Sequence, residues 1–246
     1  MQHGNAPQGD KPSEAMQQGT MQQGDMQPDT MQHGNAHQGE MRPDTMQHNT
    51  MQPRQIGHGN RQPLQDPRIP GPNGPTPFKP DKGDTNVAMV IMNPEYRLDE
   101  PGIGLGGDGW RVLTYQDLMS TAAQPYSTIV DWEMTINITA NMERYMFSFD
   151  GKKFTDQPGP YLFRHNERLR LFMVNHTMME HPIHLHGMWM QLENGAEELP
   201  FKHTILTKPG EVLSVLITPI EKGDWAFHCH LLYHMEAGMA QVVRVA

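Results

Sequence analysis

A chain of 246 residues with a formal net charge of −9 and one cysteine excludes an intrachain disulfide framework and offers no basic surface for nucleic acid. No apolar run is long enough to span a bilayer. The opening Met1-Gln2-His3-Gly4-Asn5 lacks the basic and apolar regions of a signal peptide, so none is visible.

The composition changes along the chain. Residues 1–60 repeat every five residues, as in Met16-Gln17-Gln18-Gly19-Thr20 and Met21-Gln22-Gln23-Gly24-Asp25; of twelve such units, eight begin with Met. A period of five matches neither helix nor strand, and the units hold too few large apolar groups to build a core. Residues 1–85 are therefore expected to be disordered. Thioethers favour Cu(I), and His3, His33, His37, His48 and His58 add imidazoles, so soft-metal capture stands beside a plain spacer as the reading of this segment. Residues 61–85, with seven prolines from Pro63 to Pro80, read as an extended linker. Residues 86–246 hold nearly all the aromatic and β-branched residues and are long enough for one sizeable core.

Within 86–246, Tyr115–Ser120 reads as a short helix. Apolar or alternating runs then follow at Thr128–Ile138, Arg168–Val174, Ile183–Leu192, Val212–Thr218, Asp224–His230 and Ala240–Val245. Many short strands between Gly and Pro turns imply an all-β sandwich or barrel. Leu231–Met235 reads as one helical turn that brings His234 back toward the preceding strand.

Two clusters carry the chemistry. The first is His181-Pro182-Ile183-His184-Leu185-His186-Gly187; the second is His228-Cys229-His230 with His234 and Met239. One thiolate, several imidazoles and a thioether suit copper, and His₂Cys with a distant axial Met is the ligand set of a blue-copper electron-transfer site. Zinc sites more often use repeated Cys at short spacing. Alternate side chains of a strand share a face. His228 and His230 should therefore oppose Cys229, and His184 and His186 should share one face. His181, three positions before His184, has the opposite parity and joins Cys229. His234 and Met239 complete that set after a turn. Single peptide bonds join Cys229 to a histidine of the other set on each side. Around these clusters, Met178, Met179, Met188, Trp189 and Met190 read either as packing or as an outer metal route. His203 reads as exposed or near the site, and Glu180 as solvated or as an orienting partner for an imidazole.

The motifs H-P-I-H-L-H-G (181–187) and H-C-H-L-L-Y-H-M-E-A-G-M (228–239) resemble the two C-terminal copper signatures of multicopper oxidases, most closely the copper-resistance protein A family. Residues 93–105, 111–118, 141–151 and 177–189 extend the resemblance, which covers about 86–246. It implies a Greek-key cupredoxin β-sandwich preceded by the Met/Gln/Gly/Pro-rich tail, and a periplasmic location. It implies type 1 copper ligands at His181, Cys229, His234 and axial Met239, a type 2 ligand at His184, and type 3 ligands at His186, His228 and His230. A full family member takes further H-x-H pairs from another domain, and this chain has no other such pair. The type 1 set is thus complete and the type 2/type 3 set partial. The function implied is a copper oxidoreductase of copper resistance. Cys229, His228 and His230 would carry electrons from a reduced substrate, Cu(I) among the candidates, toward dioxygen. Its partners would be copper ions, dioxygen and a chain or domain supplying the missing H-x-H ligands. The alternative is a non-catalytic module for copper storage or electron transfer.

Overall fold

The structure is a computed structural model that describes residues 74–123 and 125–246. The repeats of 1–60 and the linker residues 61–73, with the disorder and Cu(I) capture expected there, lie outside the described residues.

Period-two alternation builds the strands. β1 (Trp132–Asn141) sends Ile136, Ile138 and Ala140 into the core. Its opposite face buries Asn137 and Thr139, whose polar groups are matched across the next hairpin: Asn137 Nδ2 donates to Asp150 Oδ1 at 2.7 Å, and the Thr139 and Ser148 hydroxyls pair at 2.8 Å. β2 (Met146–Phe149) returns antiparallel to β1, and β3 (Tyr161–Phe163) follows. β4 (Leu169–Asn175) runs parallel to β1, placing Leu169, Leu171 and Met173 in the core. Arg170, on its other face, is held between Glu133 at 2.6 Å and Glu193 at 2.9 Å. β5 (His181–Leu185), β6 (Met190–Leu192), β7 (Phe201–Lys202), β8 (Thr204–Thr207), β9 (Val212–Ile217) and β10 (Gly223–Cys229) come next, then α1 (Leu232–Glu236) and β11 (Ala240–Val245).

The strands form two sheets, β2-β1-β4-β9-β6-β7 and β3-β11-β10-β5-β8. From β4 onward the chain crosses repeatedly between them: β5 lies in the second sheet, β6 in the first, β8 in the second, β9 in the first and β10 in the second. This is the all-β sandwich with long crossovers that the Greek-key cupredoxin expectation calls for. Phe147, Phe149, Phe163 and Phe227 fill the space between the sheets, with the rings of Phe149 and Phe227 4.8 Å apart.

Three local expectations need adjustment. The apolar run Ile183–Leu192 is two strands in different sheets, broken after Leu185 by a turn at Gly187, whose φ is +73°. The strand expected over Thr128–Ile138 begins only at Trp132, and Ile129 is exposed. The helix at Tyr115 is a single 3₁₀ turn, Tyr115–Asp117.

The disorder expected up to residue 85 does not hold for its last residues: residues 76–91 lie along the sandwich, held by backbone and side-chain hydrogen bonds to it. Thr76 N–H donates to Thr135 Oγ1, Asn86 Nδ2 to the Gly151 carbonyl and Asn141 Nδ2 to the Thr85 carbonyl. Phe78 stacks on the buried His176 ring with centroids 5.4 Å apart. His176 accepts Ile91 N–H at Nδ1 and pairs through Nε2 with Asn137 Oδ1 at 3.0 Å. Among the described residues, no helix is long and apolar enough to cross a membrane.

Candidate metal centre

β5 and β10 are antiparallel neighbours in the middle of the second sheet, with His228 opposite His184 and Cys229 opposite Ile183. That register sets the site. His181, Ile183, Leu185, Phe227 and Cys229 face inward and are buried; His184 and His228 face the other way and are half-buried. The backbone pairing continues past the strand ends, since His186 N–H donates to the Ala226 carbonyl and His230 N–H to the Pro182 carbonyl.

The inward group is His181, Cys229 and His234. Cys229 Sγ lies 3.8 Å from Nδ1 of His181 and 3.8 Å from Nδ1 of His234, and the two Nδ1 atoms are 3.1 Å apart. α1 delivers His234 as the sequence implied: the Leu231 carbonyl accepts the N–H groups of His234 and Met235, starting the turn. Met239 is fully buried and tied through its backbone to both partners, its carbonyl accepting Cys229 N–H and its N–H donating to the His234 carbonyl, each at 3.0 Å. Gly238 between them has φ +122°, and a Cβ there would stand 2.7 Å from the Phe147 carbonyl oxygen, so only glycine fits. Phe147 walls the group, stacked on His234 and edge-on to His181.

The inward group is neutral without metal. Burial pushes the Cys229 thiol up to about 11 and the His181 imidazole down to about 3, the latter helped by the neighbouring His234 ring; burial lowers His234 as well. A cation entering here meets imidazoles already free of a second proton and displaces one proton from the thiol.

The outward group is His184, His186 and His228, with ligand atoms all within 4.8 Å of one another. Nε2 of His186 and Nε2 of His228 are 3.1 Å apart. Backbone carbonyls occupy the other nitrogen of two of these rings: His184 Nδ1 donates to the His203 carbonyl at 2.7 Å, and His228 Nδ1 to the Cys229 carbonyl at 2.9 Å. Each contact leaves Nε2 turned toward the group, the usual way a ligating histidine is oriented. The His184 imidazole is lowered, chiefly by burial. The exposed His230 stands beside this group rather than within it, its ring 5.6 Å from that of His184 and 5.9 Å from that of His228.

The residues around the two groups sort themselves. Met190 is fully buried, Met188 is buried, Met179 packs on the core and Met178 is exposed. Trp189 is exposed, with its ring 5.6 Å from His203. The partner on His181 Nε2 is Thr177. Thr177, Phe147 and the His203 carbonyl carried no sequence signal, because each acts through a single cross-strand or turn contact rather than through a repeating pattern.

Residues 130–246 match the family model described as multicopper oxidase. The chain carries a multicopper oxidase domain. It is 47% identical over 162 residues to copper resistance protein A of Pseudomonas syringae pv. tomato, covering 65% of this chain and 26% of that protein. It is 46% identical over 160 residues to copper resistance protein A of Escherichia coli, covering 65% and 26%. It is 31% identical over 156 residues to the multicopper oxidase MmcO of Mycobacterium tuberculosis, covering 60% and 28%. The multicopper oxidase domain and its flanks thus span about a quarter of the length of these relatives. Among solved structures, a multicopper oxidase from Campylobacter jejuni described as a metallo-oxidase superposes with a TM-score of 0.45 at 22% identity, over 50% of this chain and 32% of that one.

Proposed function

We propose that this domain holds copper at His181, Cys229, His234 and Met239 and serves as the electron-accepting part of a copper oxidoreductase. The observation that carries the reading is a buried thiol flanked by two imidazole nitrogens, each at 3.8 Å. An ion at ordinary metal–nitrogen and metal–sulfur lengths of about 2.0–2.3 Å would need sulfur and nitrogen roughly that far apart. The donor types, a thiolate, two imidazoles and a nearby thioether residue, are those of a blue-copper centre. Copper bound there supplies one-electron redox chemistry.

The residues of the chain do the rest. Phe147 and the core shield the inward group from solvent, and the buried Met239 would offer its thioether to copper held there. His184, His186, His228 and His230 form one part of a second, type 2/type 3 site. Cys229 links the two sites: it is bonded through the backbone to His228 and His230, and its carbonyl accepts the His228 Nδ1–H at 2.9 Å. We assign electron passage between the sites to this route. The overall reaction is oxidation of a reduced substrate, Cu(I) being the candidate, coupled to reduction of dioxygen to water. Its setting is copper resistance, in keeping with the names of these relatives, and the family resemblance puts it in the periplasm. Further H-x-H ligands come from a partner domain or chain.

A second reading, a copper-storage or electron-transfer module without turnover, is favoured by the open outward group, which gathers three imidazoles on an accessible face. Copper stoichiometry and oxygen uptake of the pure chain separate the two. One tightly bound copper with little oxygen uptake, and turnover restored by a chain bearing H-x-H pairs, supports the oxidoreductase. No turnover under any such addition supports the module. A copper-loaded chain lacking an intense thiolate-to-Cu(II) absorption would remove the oxidoreductase reading.

A further inference from the structure

The hydrogen bonds behind His181 run in one direction. Thr177 Oγ1 lies 2.8 Å from His181 Nε2, and both residues are buried. The same hydroxyl lies 2.8 Å from Asn175 Oδ1 and 3.1 Å from the Met179 carbonyl, and it accepts the Met179 N–H at 3.1 Å. A hydroxyl has one hydrogen to give. Asn175 Oδ1 and the Met179 carbonyl are acceptors only, so the hydrogen goes to one of them and Thr177 meets His181 with a lone pair.

The orientation of Asn175 is itself fixed. Its Nδ2 donates to the Met179 carbonyl at 2.8 Å and to the Thr207 carbonyl at 3.2 Å, while its Oδ1 accepts the Thr177 N–H at 2.9 Å. Backbone groups cannot exchange donor for acceptor, so the amide has one allowed direction. Asn175 is fully buried, so its contacts are shielded from bulk solvent. If His181 Nε2 lacked its proton, two acceptors would face each other at 2.8 Å in a dry interior, which is costly.

We propose that Thr177, held by Asn175, is the positioning residue that fixes the His181 tautomer. The proton sits on Nε2, and the Nδ1 lone pair points at Cys229 Sγ and His234 Nδ1 before any metal arrives. This rests on the copper assignment above only for its consequence, since the tautomer itself belongs to the metal-free chain. With it fixed, His181 needs no proton shift or ring flip to become a ligand.

The test is nitrogen NMR of the full metal-free chain with ¹⁵N-labelled histidine, followed by Cu(II) titration. Wild type should show a protonated Nε2 and a bare Nδ1 at His181. Thr177→Val keeps the shape and removes the hydroxyl; it should admit the Nδ1–H tautomer and weaken Cu(II) binding by about 10–100-fold, the usual effect of losing an orienting partner of a ligand. Thr177→Ser keeps the hydroxyl and should restore both readouts. Protonated Nδ1 in the wild type overturns the proposal, as does an unchanged tautomer in Thr177→Val. Should the Val variant fail to fold, the wild-type spectrum and Thr177→Ser decide, because a purely packing role would spoil the Ser variant. The tautomer is read without copper, so its failure is separate from failure of the copper assignment, which the thiolate band of the wild type against Cys229→Ser tests.

Discussion

The ring of Phe147 lies over the ring of His234, centroids 4.0 Å apart and 22° from parallel. β2 supplies the phenyl ring and α1 the imidazole, so the stack pins a one-turn helix to the core. Phe147→Ala should cost about 3–5 kcal/mol of stability, as large core truncations do. It should also loosen copper binding, because His234 loses its wall. Urea unfolding measures the first and a copper titration the second. A loss below about 1 kcal/mol would mean that the stack is incidental.

Cys229 is the single thiol of the chain. Cys229→Ser should therefore abolish the thiolate-to-Cu(II) absorption outright, while His228→Ala, on the outward face, should leave the colour and remove any oxygen uptake. Met239→Leu should keep the colour and raise the reduction potential, since an axial thioether modestly favours Cu(II). Absorption spectroscopy and redox titration of the three variants check this. Colour retained in Cys229→Ser is the outcome that sinks the inward site.

His176 gives the metal-free chain a pH dependence. Burial takes its imidazole from the usual 6.5 down to about 4. Between those values the unfolded chain takes up a proton that the folded chain refuses, so stability is full above about 6.5 and falls as pH drops toward about 4. Protonation also forfeits the Ile91 N–H bond accepted at Nδ1. Denaturant midpoints of the metal-free chain should fall over this window, and His176→Gln should flatten that limb. An equal slope in both proteins would contradict the assignment.

Gly187 sits at φ +73°, and a Cβ on it would come within 2.2 Å of the Trp225 ring. Gly187→Ala should therefore destabilise the domain by about 1–3 kcal/mol and displace His186 from His228. Pairing it with Trp225→Ala should recover part of the loss, a coupling that a double-mutant cycle reads directly. Additive effects would show that the ring is not what demands the glycine.

Much of the site was legible because strand parity is a strong rule. It separated Cys229 and His181 from His184, His186 and His228, and β5 and β10 realise that separation through the pairing of His184 with His228. The turn that returns His234 was legible from its position after the strand. The break at Gly187 was hidden, because Met188, Trp189 and Met190 continue the apolar run and only the positive φ ends the strand. The short strands β2, β3, β7 and β8 were missed because pieces of two to four residues carry no periodicity of their own. Ile129 misled because alternation describes a strand face only where a second layer covers it, and there it is exposed.

The opposed facing of Cys229 and His228 also limits how this segment can change length. Inserting or deleting one residue between Phe227 and His230 would turn the thiol outward and an imidazole inward, exchanging the buried and open faces at once. Substitutions along β10 can be absorbed one at a time, but a change of chain length cannot. A change of length would have to fall outside the ladder, as at the exposed turn at Gly195 between β6 and β7.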